Sequence, residues 1–275
     1  IPFVSTSQNN RDHRKIVVID GKVAFTGGVN LADEYINEKV LFGHWKDVAV
    51  KITGDAVRSF TVMFLQMWNV SEKGKEDYEK YLTGITYEKP LYHDGFVIPY
   101  GGMPTMKEEL TKTVYESMIH NAVKYVHIMT PYFIVEQGFL DSMRFAAERG
   151  VEVAMILPHI PDKKIVYYIA RTFYPALLRA GVKIYEYVPG FIHAKAFVSD
   201  DISAAVGTVN LDYRSFYHHF ECGVSFYDNK VVGKVEEDFQ ATLKKCKEVT
   251  WEYYRKIPLL QKLLGRTFRL FGPLM

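Results

Sequence analysis

Apolar and polar positions change period several times along this chain, and each change marks an element. Residues 16–19, Ile-Val-Val-Ile, form a β-branched run; Asp20-Gly21 supplies a hairpin dipeptide, and residues 23–25 return as a second strand. Residues 31–35 suggest a short helix, and Val48, Val50 and Ile52 alternate with other residues as on a strand. Between Asp55 and Trp68 the apolar residues Val57, Phe60, Phe64, Leu65 and Trp68 recur at helical spacing. Residues 71–90 are charged and tyrosine-rich, contain Gly74 and Pro90, and read as a linker.

Beyond the linker the pattern predicts a helix over 104–125 and a strand over 126–129 that ends at Thr130-Pro131. A helix over 139–148 is stopped by Gly150, and a buried strand follows over 151–157. A helix over 163–180 is stopped by Gly181, and strands follow over 182–187 and around residue 193. Strands alternating with helices predict an α/β protein whose sheet is covered on both faces.

One short motif occurs twice. His13-Arg14-Lys15 is followed by Asp20, and His193-Ala194-Lys195 by Asp200 at the same spacing. A Gly-x-x-Asn follows each, Gly27 to Asn30 and Gly207 to Asn210, so both copies share an offset of 17 residues from histidine to asparagine. One such match would carry little weight; two in register predict a duplicated half-site, with one histidine from each half meeting across a pseudo-twofold axis. Only 12 residues precede His13, whereas His193 lies 93 positions beyond Tyr100. The first half of a chain that begins at Ile1 is therefore expected to be incomplete, with its N-terminal portion absent.

Composition narrows the partners. Lys+Arg number 34 against 32 Asp+Glu, a net charge of +2 that argues against bulk nucleic-acid binding. The two cysteines, Cys222 and Cys246, have no metal or redox spacing, so a reduced, cytosol-facing setting is expected. No uncharged apolar run reaches the roughly 20 residues that spanning a bilayer needs. Residues 251–275 hold Arg255, Lys256, Lys262, Arg266 and Arg269 against Glu252, interleaved with Trp251, leucines and phenylalanines. That composition suits either a basic amphipathic helix on an anionic membrane or a helix docked on the protein's own core.

The repeated residues suit phosphoryl chemistry. One neutral imidazole attacks phosphorus, and the other, protonated, delivers a proton to the departing alkoxide. Lys15, Lys195, Asn30 and Asn210 can donate to the non-bridging oxygens, so the scheme needs no metal or other cofactor. Asp47 and Glu221, each on a later strand, are candidates to orient the histidines. Asp20 and Asp200 are counted with the catalytic set, although their place at strand ends suits turn stabilisation equally. Arg214 and Ser215 suit a turn cap or a phosphate contact. Cys222 reads as a small core residue, and His44, His93, His120, His127, His159, His218 and His219 read as surface or hydrogen-bonded histidines.

The paired motifs resemble the phospholipase D superfamily. Asn10 to Gly21, Trp45-Lys46-Asp47, Thr130-Pro131-Tyr132-Phe133, Pro189 to Lys195 and Asn210 to Phe216 resemble bacterial cardiolipin synthases, and the similarity runs to Gly272-Pro273-Leu274. The resemblance implies duplicated α/β/α halves with mixed sheets and the active site between them, the first half incomplete here. It divides the chain into residues 1–70, the end of the first half; a linker, 71–98; the second half, 99–250; and a basic amphipathic segment, 251–275. It implies a phosphatidyl transfer between two phosphatidylglycerol molecules through a phosphohistidine, with His13 as nucleophile and His193 as acid/base. The near symmetry of the halves leaves the reverse order open. The alternative is a phospholipase D-type phosphodiesterase acting on phospholipid or nucleic acid. The implied partners are phosphatidylglycerol and an anionic membrane surface rather than nucleic acid. The implied setting is the cytoplasmic side of the bacterial cell membrane, with membrane segments in the absent N-terminal part. Members of the family usually carry asparagine two residues before the second-half glutamate; here that residue is His219, preceded by His218.

Overall fold

A computed structural model describes residues 10–71, 76–87 and 94–274. The first half contributes β1 (Arg11–Asp12), β2 (Val17–Ile19), β3 (Val23–Gly27), β4 (His44–Lys46), β5 (Ala49–Thr53), α1 (Ala56–Ser71) and the short α2 (Glu79–Leu82). The second half runs through β6 (Phe96–Gly102), α3 (Leu110–Asn121), β7 (Tyr125–Met129), β8 (Phe133–Ile134), α4 (Gln137–Glu148) and β9 (Glu152–Pro158). It continues with α5 (Lys164–Arg171), α6 (Tyr174–Ala180), β10 (Lys183–Tyr187), β11 (Gly190–Ile192), β12 (Ala196–Ser199) and β13 (Ser203–Gly207). β14 (Leu211–Asp212), β15 (His219–Tyr227), α7 (Lys230–Leu243), β16 (Cys246–Glu248), α8 (Trp251–Lys256) and α9 (Leu259–Arg269) complete it.

The main sheet is mixed, in the order β1-β15-β13-β12-β7-β9-β10-β16, with β6 also on β15. One face carries Tyr115 and Ile119 of α3, Phe139, Leu140 and Met143 of α4, and Leu177 of α6. The other carries Val232, Val235 and Phe239 of α7, and the small β2-β3-β5 sheet with Val57 and Phe60 of α1. The two halves therefore share a core. The small sheet repeats the β12-β13-β15 arrangement: Gly27 faces Ala49 in one and Gly207 faces Gly223 in the other. A Cβ on Gly27 would lie 2.3 Å from the Val48 carbonyl oxygen, and one on Gly207 2.4 Å from that of Cys222. The repeated glycine is thus required by close strand approach.

Several boundaries differ from the sequence expectation for identifiable reasons. The helix expected over 104–125 starts only at Leu110, because β6 runs to Gly102 and Met106 N–H turns back to the Met103 carbonyl. It stops at Asn121 because the N–H groups of Val123, Lys124 and Tyr125 go to the Asp200 carboxylate. The helix expected over 163–180 is two, α5 and α6, broken at Thr172 and Phe173 with Pro175 in the first turn of α6. The short helix expected over 31–35 is a single 3-10 turn, Asp33–Ile36. The linker expected over 71–98 lies partly outside the described residues; within them α2 and the start of β6 fall inside it. The second motif is not on a strand: residues 193–195 bridge β11 and β12, as residues 13–16 bridge β1 and β2. Pro258 divides the C-terminal segment into α8 and α9. No described helix is long and apolar enough to cross a membrane.

Candidate active site

Each motif histidine is delivered by a short strand that pairs with the opposite half. β1 runs parallel to the start of β15, Arg11 facing His219 and Asp12 facing Phe220, and His13 N–H donates to the Phe220 carbonyl at 2.9 Å. His13 Nδ1 then lies 2.9 and 3.0 Å from the two oxygens of Glu221. β11 runs parallel to β4 in the same way, and His193 N–H donates to the Lys46 carbonyl at 2.7 Å. His193 Nδ1 lies 2.7 Å from Asp47 Oδ2. Each half thus supplies the carboxylate for the other half's histidine. With Nδ1–H given to a carboxylate, each ring keeps Nε2 as its reactive nitrogen.

Both carboxylates are themselves held. Glu221 is fully buried; Ser215 donates to Oε1 at 2.8 Å, and the Thr208 hydroxyl donates to Oε2. Burial alone would raise its pKa, but the His13 charge and the hydrogen bonds from His13 and Thr208 bring it down to about 2. Asp47 accepts from Val48 N–H at 2.8 Å. A Cβ on Gly28 would lie 2.1 Å from Asp47 Oδ1 and 2.9 Å from the His193 carbonyl oxygen, so this position admits no side chain. Gly28 and Thr208 occupy the same place in the two Gly-x-x-Asn repeats, each against its own half's carboxylate.

The lysines follow the histidines. Lys15 Nζ donates to the His13 carbonyl at 2.8 Å, and Lys195 Nζ to the His193 carbonyl at 2.5 Å. Burial lowers the pKa of both; for Lys195, fully buried, it falls to about 7, with Lys15 also opposing its charge and Asp47 favouring it. Burial and the Lys195 charge hold His193 down at about 3 against the pull of Asp47. Asn210 is buried, its N–H donating to Ser215 Oγ at 3.1 Å, and its side-chain oxygen has no partner among the described residues. Asn30 donates to the Tyr35 hydroxyl. Tyr35, Trp45 and Phe191 enclose the His193 ring at 5.2, 5.4 and 5.9 Å between centroids.

The third motif residue does something else. Both oxygens of Asp200 are spent on the three backbone N–H groups of residues 123–125. Asp20 is exposed in the matching turn; its φ of 53° and that of 58° at Asp200 are left-handed turn geometry. Among the described residues neither is bonded to a motif histidine, and both stand at turn positions. Ser215 links the Asn210 backbone to Glu221.

Sequence reasoning missed Thr208, the aromatic enclosure and the setting of His219. The signal for Thr208 was its position in the repeat. Of the remaining histidines, His44 contacts Tyr187, His120 contacts Ser142, His127 contacts Glu236, His159 contacts Glu186, and His218 donates to the Pro273 carbonyl. His93 lies outside the described residues. His219 is the exception: both ring nitrogens are buried without a hydrogen bond, 5.4 Å separates its ring centroid from that of His13, and Nδ1 is 3.6 Å from Glu221. Ligand atoms of His13, His219 and Glu221 lie within 4.8 Å of one another. A cation there would have to displace the His13, Ser215 and Thr208 protons that already occupy Glu221.

The lysine shift carries a prediction. Above about pH 7 the Lys195 ammonium loses its proton in the free enzyme, so kcat/KM should fall on that limb. A Lys195→Arg variant, whose charge does not titrate, should move the limb upward by at least about one pH unit, whatever its maximal rate. An unmoved limb would assign it to another group.

Residues 115–243 match the family described as cardiolipin synthase, PLD-like domain. Over its whole length the chain is 51% identical to an uncharacterized protein of Streptococcus mutans, covering 59% of it. It is 37% identical to a cardiolipin synthase of a Geobacillus strain and 38% identical to cardiolipin synthase 2 of Bacillus cereus, covering 54% and 53% of them. The chain thus spans little more than half the length of these relatives. Phosphatidylserine synthase of Haemophilus influenzae shares the fold, with a TM-score of 0.70 at 17% identity over 98% of this chain and 72% of that one.

Proposed function

From its similarity to cardiolipin synthases over its whole length and the match of residues 115–243 to the PLD-like domain, we propose that the chain is part of a phospholipase D-like cardiolipin synthase and serves phosphatidyl transfer between two phosphatidylglycerol molecules. The observation that carries this is the reciprocal pair of histidine–carboxylate contacts, His13 with Glu221 and His193 with Asp47. His13 Nε2 attacks phosphorus, the bond to the glycerol oxygen breaks, and that oxygen takes a proton from His193. The primary hydroxyl of a second phosphatidylglycerol then returns a proton to His193 as its oxygen attacks the phosphohistidine, freeing His13 and completing cardiolipin. Lys15, Lys195, Asn30 and Asn210 serve the non-bridging oxygens.

His193 is the acid/base in this reading, because a phosphodiester anion entering beside it favours its protonated form. One observation favours the reverse order. Burial keeps His193 neutral in the free enzyme, as a nucleophile must be. The aromatic rings around His193 limit the space for water, which favours transfer over hydrolysis.

The test is turnover in vesicles containing phosphatidylglycerol, with no added metal. Cardiolipin and free glycerol should rise in step. Phosphatidic acid without cardiolipin would make the activity hydrolytic and overturn the transferase reading.

A further inference from the structure

Helix α9 is amphipathic, and the protein's own core covers only one of its faces. Gly265 is pressed against α5, where a Cβ would lie 2.3 Å from the Tyr168 carbonyl oxygen, and Arg269 stacks on Phe173 at 3.8 Å. The two readings of the C-terminal segment are therefore not exclusive: the helix is docked, yet another face remains free. Leu259, Leu260, Leu263 and Leu270 are between 63% and 81% exposed, and Phe271 is exposed beside them. At about 100° per residue Leu259, Leu260 and Leu263 span an arc of roughly 100° on the outer side of α9, and Leu270 and Phe271 follow at its C-terminal end. Exposed Arg266 borders that arc, exposed Arg255 lies on the preceding helix α8, and α9 contains no acidic residue.

A leucine edge bounded by cations matches the headgroup region of an anionic bilayer, where the apolar side chains enter the acyl boundary and the guanidinium groups meet lipid phosphate. A second copy of the chain fits less well, because two such edges would bring like charges together. The edge is also tied to the site. The turn after α9, Gly272–Leu274, lies against residues 213–218: His218 donates to the Pro273 carbonyl at 3.1 Å, and Ser215, in the same short segment, donates to Glu221. We propose that the outer edge of α9 is an in-plane membrane foot that seats on anionic phospholipid and holds the paired-histidine site against its lipid substrate. The second clause rests on the function proposed above; the seating itself does not.

Sedimentation of the 275-residue chain with vesicles tests this, using phosphatidylcholine alone or mixed with phosphatidylglycerol. The chain should sediment with the mixed vesicles, and added salt should weaken the binding. The triple variant Leu259→Ser, Leu260→Ser, Leu263→Ser should bind at least tenfold more weakly while melting within a few degrees of the wild type, since these side chains are largely exposed. Arg255→Gln with Arg266→Gln should lose several-fold of the preference for the anionic vesicles. Equal binding by the triple variant would overturn the proposal. So would a wild-type chain that self-associates through these leucines with no change in vesicle binding on their removal. Seating without cardiolipin formation would instead count against the proposed function and leave the foot standing.

Discussion

Replacing His13 or His193 by alanine should each lower phosphatidyl transfer by roughly 10⁴-fold or more, because members of a catalytic unit fail together. The two variants should separate on a phosphatidyl ester of p-nitrophenol, whose leaving group departs without help from an acid. Only a chain that retains the nucleophile can then form the phosphohistidine. With His13 as nucleophile, His193→Ala should give a burst of p-nitrophenolate equal to the enzyme concentration, and His13→Ala none. The opposite pattern would reverse the order, in line with the neutral state that burial imposes on His193. Bursts from both variants would sink the paired-histidine mechanism.

Loss of the Glu221 carboxylate should be the most destabilising single change in the site. Glu221→Ala would strand the Thr208 and Ser215 hydroxyls and the His13 N–H in a fully buried position. Breaking a buried, hydrogen-bonded charge pair costs about 3–5 kcal/mol, measurable by denaturant titration. Glu221→Gln keeps the shape and isolates the charge. The folded carboxyl sits at about 2 against an ordinary 4.5, so its contribution is complete above pH 4.5 and is lost as pH falls toward 2. His193, held at about 3 against 6.5, contributes fully above pH 6.5 and loses that contribution as pH falls toward 3. Wild-type stability should therefore fall in two overlapping steps on acidification. Glu221→Gln should keep only the step that begins near pH 6.5; an unchanged lower step would show that the Glu221 charge is not the cause.

The second-half elements were largely legible, because burial on a two-sided sheet imposes long apolar runs and the helices end at Gly150 and Gly181, both at positive φ. The helix breaks at Thr172 and before Leu110 were not. Apolar spacing continues through both places, and the break depends on what packs there. Asp20 and Asp200 show the limit of motif reading. Their fixed spacing from the histidines coincides with left-handed turn geometry at both positions, which the motif by itself does not reveal.

Residue spacing alone picked out a repeated unit of two His-x-Lys pairs and two asparagines, with Asp47 and Glu221 as candidate carboxylates at unequal distances beyond them. A tandem repeat of chemistry-bearing residues survives in the linear order, whatever the fold does with it. Only the tertiary structure decided the pairing. β1 joins β15 and β11 joins β4, so Glu221 reaches His13 across 208 residues and Asp47 reaches His193 across 146. Parallel ladders two or three residues long leave no periodicity to read, and strand pairing between halves is a property of the closed core rather than of any local segment. The same holds for the Lys195 ammonium and the His193 ring, whose lowered pKa values come from burial by residues distant in sequence.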